Sequence, residues 1–159
     1  MLRSHVVFYS KVALLAIGVA VVIGIALFSG SSGYEAENRV EDWVLSVSIT
    51  PLHITVNDNI TVEGTIKYVG SENFMAWVNA MFSPDISIWS QDGTNIDGTV
   101  HAGFSTELKI TPQLSQGHQF VFRPIHTPGM YRVEVDDWGY NPDGSNVKLT
   151  VTLLIEVKP

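Results

Sequence analysis

Histidine side chains are the groups in this chain best suited to bind a metal ion, because neutral imidazole is the commonest metal ligand in proteins. Three of the five histidines, His101, His118 and His126, lie in the second half of the 159 residues. No two histidines are two or four positions apart, and the chain has no cysteine. A metal site needs three or four ligands that converge with a defined geometry. We therefore predict that the protein has no cofactor, with copper at these three histidines as the alternative.

Residues 136–144 form an acidic, turn-rich stretch that is a second candidate site. Asp137 and Asp143 offer the carboxylate oxygens that calcium prefers. The stretch lacks the Asp-x-Asp-x-Asp-Gly order and the closing glutamate of a calcium loop, so the sequence favours a solvated hairpin tip. Trp138 and Tyr140 stand beside the acids, as aromatic residues do in many recognition surfaces. We predict that Asp137, Trp138, Tyr140 and Asp143 form a partner-binding loop.

Nucleophilic catalysis has no support in the sequence. No serine lies in the Gly-x-Ser-x-Gly pattern that exposes a nucleophile on a sharp turn, and no glycine-rich phosphate loop is present. We therefore predict that the protein is not an enzyme, and that it is at most a non-catalytic subunit of one.

The first structural element that the sequence predicts is an uncharged apolar run over residues 12–28. This length is at the lower limit for crossing a bilayer, and Arg3 and Lys11 before it predict a cytoplasmic N-terminus by the positive-inside rule. A cleaved signal peptide is the alternative for this run, and it would also export the rest of the chain. We predict a cytoplasmic leader over residues 1–11, a transmembrane anchor over 12–29, a polar tether over 30–43 and an extracytoplasmic domain over 44–159. On that side of the membrane, Asn59-Ile60-Thr61 is a candidate glycosylation acceptor at Asn59.

The exported part of the chain is strongly acidic. All 16 Asp and Glu residues follow the apolar run, together with seven of the nine Lys and Arg residues. An acidic surface argues against nucleic acid as a partner, because phosphate neutralisation needs clustered Lys and Arg. We therefore predict attachment to the cell membrane by a single helix, with another membrane or cell-surface protein as the partner.

The sequence after residue 44 alternates apolar and polar residues, which is typical of half-buried strands. In ITVEGTIKY, for example, Ile60, Val62, Ile66 and Tyr68 share one face. Gly, Pro, Asn and Asp cluster between such segments, as turn residues do. We predict an all-β fold, a single Greek-key β-sandwich of about eight strands with either immunoglobulin-like or cupredoxin-like topology. The predicted strands lie near residues 44–49, 60–68, 75–82, 86–90, 106–111, 118–124, 130–137 and 147–157.

The stretch Pro128-Gly129-Met130-Tyr131 predicts a tight corner that opens a strand. Proline fixes its own φ, and glycine accepts a backbone conformation that other residues avoid. We expect the Tyr131 side chain to enter the core just after this corner.

These segments give the chain two family resemblances. The pieces ITVEGTIKYV, Trp77-Val78, Phe82-Ser83 and PGMYRVEV resemble the exported β-sandwich of the copper-binding subunit of the ammonia and particulate methane monooxygenases. In that family a His-x-His pair after the Pro-Gly binds copper, whereas this chain has Arg132 and Glu134 there, so the resemblance implies the fold and a place in a membrane complex without that copper pair. ISIWSQDGTNI followed by PGMYRV is also similar to immunoglobulin-like domains of the bacterial proteinase-inhibitor type.

We predict that the protein is a non-catalytic, membrane-anchored β-sandwich that acts as a protein-binding or accessory subunit of a membrane or cell-surface complex. The first alternative is a divergent component of a copper membrane monooxygenase of the ammonia or methane type, similar to the subunit that carries the exported sandwich. The second is a pilus-like surface subunit, since pilus subunits also join an apolar N-terminal segment to a sandwich domain.

Overall fold

The computed structural model describes residues 22–23, 34–79, 82–99 and 104–159. Every regular element in these residues is a β-strand, which confirms the predicted all-β class. In chain order the strands are β1 (Val22–Ile23), β2 (Tyr34–Val40), β3 (Trp43–Thr50), β4 (Ile54–Thr55), β5 (Ile60–Tyr68), β6 (Phe74–Asn79), β7 (Asp85–Ser90), β8 (Asn95–Gly98), β9 (Ser105–Ile110), β10 (Ser115–Phe122), β11 (Gly129–Tyr140) and β12 (Asn146–Lys158).

Most of these strands belong to two sheets. The first sheet has the order β10-β5-β3-β2, with all neighbours antiparallel. The second has the order β12-β11-β7-β8, again antiparallel, and the short strands β1 and β4 add to β12 in parallel. Strands β6 and β9 pair with each other in a separate two-stranded sheet.

The two main sheets pack face to face as a β-sandwich. The alternation that predicted the strands places every second side chain in the core, as in β5, where Ile60, Val62, Ile66 and Tyr68 are all buried. Hydrogen bonds also cross between the sheets. The Nε1–H of Trp43 donates to the carbonyl oxygen of Tyr140 at 2.9 Å, and the Nδ2–H of Asn38 donates to the carbonyl oxygen of Thr150 at 2.9 Å.

The sandwich has two ends, which are named here by a buried aromatic residue at each. At the Trp43 end, Trp43 pairs with Tyr68 in the first sheet and reaches Tyr140 in the second. This end carries the β2–β3 turn, the β5–β6 connection and the β11–β12 turn. At the Tyr131 end, Ile60 pairs with Phe122, and Gly129 pairs with Val157. This end carries the β3–β5, β7–β8 and β10–β11 connections and the C-terminal end of β12.

Each of the eight predicted strands overlaps an observed one, namely β3, β5, β6, β7, β9, β10, β11 and β12. Residues 80–81 of the strand predicted over 75–82 lie outside the described residues. The main difference is β2, because the sequence predicted a polar tether over residues 30–43. The charges of Glu35, Glu37 and Arg39 suggested a spacer, but these three side chains are exposed and alternate with residues that face the core. The inward residues Tyr34, Ala36, Asn38 and Val40 make residues 34–40 the outer strand of the first sheet.

Most of the predicted leader and anchor lies outside the described residues. Within the apolar run the structure describes only Val22–Ile23, which pair in parallel with Val151 and Thr152 of β12. The predicted transmembrane helix is therefore not shown. The described residues contain no helical segment that could span a bilayer.

Candidate binding cleft between two edge strands

A cleft of about 900 Å³ opens between β8 of the second sheet and β10 of the first, at the Tyr131 end. Ile88, Phe122 and Tyr131 come from the interior faces of three strands and form its apolar floor. Ile96 and Phe120 stand at its sides. The volume is within the range of roughly 300–1,000 Å³ that is usual for ligand sites in proteins.

The cleft exists because the two sheets end there without a shared strand. In the described part of the chain, β8 and β10 are each the last strand of their sheet. An edge strand presents a row of N–H and C=O groups that can pair with another chain. The opposite side of the sandwich is closed, because Asn38 of β2 bonds to Thr150 of β12. Within these residues, the β8–β10 side therefore combines two edge strands with an opening between the sheets.

Tyr131 anchors the loop that forms one wall of the cleft. Its side chain is 7% exposed, and its hydroxyl donates to the carbonyl oxygen of Thr127 at 2.8 Å. Gly129, between the two, has φ of 154°, a conformation that glycine accepts more readily than other residues. The prediction that Tyr131 enters the core after a Pro-Gly corner is confirmed. The bond ties the β10–β11 connection to the sandwich and so fixes the position of that wall.

The rim of the cleft is polar, while β10 supplies most of its aromatic surface. Phe120 and Phe122 are two positions apart and meet edge to face, with ring centroids 4.7 Å apart. Asp97, Arg123 and His126 are the ionisable residues that line the opening. An apolar floor with a few charged groups at the rim is common in binding sites. Burial of apolar surface of the ligand then supplies affinity, and the charged groups supply specificity.

The predicted partner-binding loop is placed differently from the expectation. Asp137, Trp138 and Tyr140 belong to β11, and only Asp143 lies in the turn that follows. Successive strand residues point to opposite faces, so Asp137 faces the core and is 9% exposed, whereas Trp138 faces outward and is 39% exposed. Tyr140 is half-buried against Phe82, with ring centroids 6.0 Å apart. The structure therefore leaves Trp138 and Asp143 on the surface and separates Asp137 from both.

Asp137 is a buried carboxylic acid with incomplete hydrogen bonding. Its Oδ1 accepts a hydrogen bond from the Trp138 N–H at 2.7 Å, while its buried Oδ2 has no partner. Burial raises the pKa of Asp137 to about 7; the Trp138 bond opposes this rise, and the nearby Asp85 and Asp136 add to it. A carboxyl group in this position is protonated and neutral below that pH, which suits a core position better than a partner-binding one.

Asp143 behaves as a turn residue. Its Oδ1 accepts hydrogen bonds from the Ser145 hydroxyl at 2.6 Å and from the Ser145 N–H at 2.9 Å. These bonds lower the pKa of Asp143. Asn141 donates through its Nδ2–H groups to Glu41 at 2.7 Å and to the Ser145 hydroxyl oxygen at 3.0 Å. The polar groups of this turn therefore satisfy one another.

The candidate metal ligands do not form a cluster. His101 lies outside the described residues, His118 is half-buried in β10 opposite Gly64, and His126 is exposed at the cleft. Over residues 34–79, 82–99 and 104–159, no three His, Asp or Glu side chains converge in a way that could hold a metal ion. Copper at His101, His118 and His126 stays the untested alternative to the predicted absence of a cofactor.

Asn59 is exposed and lies one residue before β5. The acceptor nitrogen of the predicted glycosylation site is therefore on the surface of the domain. Thr61, the third residue of the triplet, is in β5 opposite Thr50 and Val121.

Comparison with known proteins adds similarities of fold only. No family model and no curated protein matches the sequence. The C-terminal domain of Wzt is similar with a TM-score of 0.46 and 14% identity, over 79% of this chain and 78% of that one. A β-glucosidase from Listeria innocua has a TM-score of 0.44 and 13% identity over 74% of this chain, which spans 16% of the enzyme. A β-glucosidase from Erythrobacter marinus has a TM-score of 0.34 at 13% identity, over 76% of this chain and 15% of that one. Similarities of this size carry no argument about function.

Proposed function

We propose that this chain is a non-catalytic binding module, held at the outer face of a membrane, that serves as an accessory subunit of a membrane or cell-surface complex. The observation that supports it is the cleft between the edge strands β8 and β10. An extended segment of a partner that enters such a cleft can pair with an edge strand through its main chain. Its side chains can then reach the apolar floor at Ile88 and Phe122.

The topology that best accounts for this cleft is immunoglobulin-like. The order β3-β5-β10 corresponds to strands A, B and E of that fold, and β7-β11-β12 corresponds to strands C, F and G. The hydroxyl of Tyr131, at the start of the strand that corresponds to F, bonds back to Thr127, as in the tyrosine corner of immunoglobulin-like domains. In this assignment β8 extends the C-F-G sheet, and the cleft lies beside the uncovered edge of strand E.

The membrane attachment rests on the uncharged run of residues 12–28 behind Arg3 and Lys11. Val22 and Ile23 cannot cross the bilayer and pair with Val151 and Thr152 at the same time. In the anchored form this short pairing is given up, because burial of the whole run in lipid removes far more apolar surface from water than two strand residues do.

The test is extraction of the native full-length protein in mild detergent, followed by size-exclusion chromatography and mass spectrometry of what co-elutes. The cleft variant is Ile96→Asp, because Ile96 lines the cleft and is 46% exposed, so that a charge there does not enter the core. The matched control is Met75→Asp on β6, outside the cleft, where Met75 is 54% exposed.

We expect the same protein to co-elute in stoichiometric amounts with the wild type and with Met75→Asp, and to be lost with Ile96→Asp. A partner that stays bound to Ile96→Asp would show that the binding surface lies outside the cleft. A wild-type protein that elutes alone, with its N-terminus removed, would contradict both the anchor and the accessory role.

A further inference from the structure

The chain between the apolar run and the first long strand limits how far the domain can stand from a membrane. The run ends at Phe28 and β2 begins at Tyr34, which leaves five residues between them. Since an extended chain covers at most about 3.6 Å per residue, this connection reaches no further than about 20 Å. The 12 residues of β11 alone, at about 3.4 Å each, extend over roughly 40 Å. In an upright sandwich, only the end at which the connection enters can therefore lie close to the bilayer.

Tyr34 enters the sandwich near its Tyr131 end. In the first sheet Tyr34 pairs with Ile49, Ile49 with Val62, and Val62 with Phe120. Only two rows of this sheet lie beyond it toward the Tyr131 end. In the first Thr50 pairs with Thr61, and in the second Ile60 pairs with Phe122. The short connection therefore holds the Tyr131 end, and not the Trp43 end, near the point where the chain leaves the membrane.

The charges of the connecting segments differ between the two ends. At the Trp43 end, the three connections carry Glu41, Asp42, Glu72 and Asp143, and no Lys or Arg. The negative surface of an anionic bilayer repels such a group of acids and attracts basic residues. Beside a bilayer whose outer leaflet is anionic, the Trp43 end is therefore the one that electrostatic repulsion directs away from the lipid.

The Tyr131 end carries basic residues and fewer acids in its connecting segments. Arg123 and His126 lie in the β10–β11 connection. Asp58 accepts hydrogen bonds from the N–H and hydroxyl of Thr55 at 2.7 and 2.8 Å, and Asp92 accepts one from the Thr94 N–H at 3.0 Å. Both carboxylates stay ionised, so the three connections at this end carry two negative charges and the one positive charge of Arg123, against four negative charges at the Trp43 end.

Some exposed apolar side chains lie in this half of the molecule. Ile96 is 46% exposed, Met130 is 42% exposed and Leu154 is 63% exposed. Met130 and Leu154 stand on the outer face of the second sheet, close to the start of β11. Val69 and Trp138 are exposed toward the Trp43 end, so the orientation is argued from the connection and the charges rather than from exposed apolar surface.

We propose that the domain stands on the outer face of the membrane with its Tyr131 end toward the lipid headgroups and its Trp43 end pointing away. This inference rests on the proposed function, because it requires the anchor. It specifies the partner more closely, since the cleft between β8 and β10 then opens beside the bilayer. The occupant of the cleft is accordingly a segment of another membrane protein that lies at the bilayer surface.

The orientation can be measured on the full-length chain because it has no cysteine. A single cysteine is introduced either by His126→Cys at the Tyr131 end or by Ser71→Cys at the Trp43 end; both positions are exposed. Each variant is labelled with the same donor dye and reconstituted into vesicles of phosphatidylcholine and phosphatidylglycerol that contain an acceptor-labelled lipid. Flotation of the vesicles separates bound from free protein before energy transfer is measured.

We expect the transfer efficiency from His126→Cys to be at least twice that from Ser71→Cys. Equal efficiencies, or a higher efficiency from Ser71→Cys, in protein that floats with the vesicles would overturn the orientation and leave the anchor intact. Protein that stays in the soluble fraction would overturn the anchor, and the orientation with it.

Discussion

The indole ring of Trp43 lies directly against the backbone of Gly139. A Cβ atom added to Gly139 would be 2.4 Å from Cγ of Trp43, far inside van der Waals contact. Trp43 is fully buried, and its Nε1–H donates to the carbonyl oxygen of the next residue on β11, Tyr140, at 2.9 Å. The close approach and the hydrogen bond together fix the spacing of the two sheets at the Trp43 end.

Gly139→Ala is therefore expected to destabilise the protein by about 1–3 kcal/mol, the usual cost of forcing extra volume into a packed core. The ring of Trp43 cannot move away without losing its bond to Tyr140. The measurement is the free energy of unfolding in urea, followed by tryptophan fluorescence. Gly117→Ala is the control, because Gly117 is exposed on the edge strand β10 and the nearest atom to an added Cβ is at 3.3 Å. Equal effects of the two substitutions would show that the contact at Gly139 is not tight.

Two substitutions of Tyr131 separate the contribution of its hydrogen bond to Thr127 from the contribution of its buried ring. Tyr131→Phe removes only the hydroxyl and should cost about 0.5–1.5 kcal/mol, the net value of a typical hydrogen bond. Tyr131→Ala also removes the buried ring and should cost about 3–5 kcal/mol. Urea unfolding of both variants gives the difference. If Tyr131→Ala folds with the stability of the wild type, the assignment of this ring to the core is wrong.

The strands could be predicted from the sequence because most of them have one buried face. Alternation of apolar and polar residues is strongest where one side of a strand meets the core and the other meets water, as in β5 and β12. Strand β2 was missed because its inward set contains Asn38, a polar residue that is 1% exposed. A pattern that depends on hydrophobicity cannot recognise an inward position whose side chain is polar and hydrogen-bonded across the sheets.

The cleft could not be predicted from the sequence, since it depends on which strands end the two sheets. The sequence placed Phe120 and Phe122 on one face of a strand, but it did not show that β8 would leave that face uncovered. The sequence predicted a strand over residues 130–137 and a partner-binding loop that begins at Asp137. Strand β11 instead continues to Tyr140, so Asp137, Trp138 and Tyr140 alternate between its two faces and do not form a loop.

Asn38 gives a test of whether β2 is part of the domain. Asn38→Ala removes the bond to Thr150 and should destabilise the protein by about 1–2 kcal/mol. Glu37→Ala is the matched control, because the neighbouring side chain is exposed and surface substitutions usually change stability by less than about 0.5 kcal/mol. Hydrogen exchange by mass spectrometry should also show slow exchange over residues 34–40. Fast exchange there, with no effect of Asn38→Ala on the free energy of unfolding, would show that residues 34–40 belong to a polar tether, as the sequence predicted.

Asp137 should make the stability of the protein depend on pH. The unfolded chain releases this proton near pH 4, whereas burial keeps the pKa in the folded state at about 7. Between these values the folded state binds more protons than the unfolded state, so the free energy of unfolding falls as the pH rises from 4 to 7. Asp137→Asn cannot ionise and removes this slope. We expect it to be more stable than the wild type by about 1–3 kcal/mol at pH 8, with the difference vanishing near pH 4.

The control for this experiment is Asp143→Asn, since the pKa of Asp143 is shifted in the opposite direction. Its bonds to Ser145 lower that pKa, so the stability it contributes is present above its usual pKa and is lost only as the pH falls below about 4. Asp143→Asn should therefore keep the decline of stability between pH 4 and 7 that Asp137→Asn abolishes. Urea unfolding at pH 4, 6 and 8 measures both variants beside the wild type. A wild-type stability that does not change over this range would mean that Asp137 is ionised in the folded state, paired with a group that compensates for its burial.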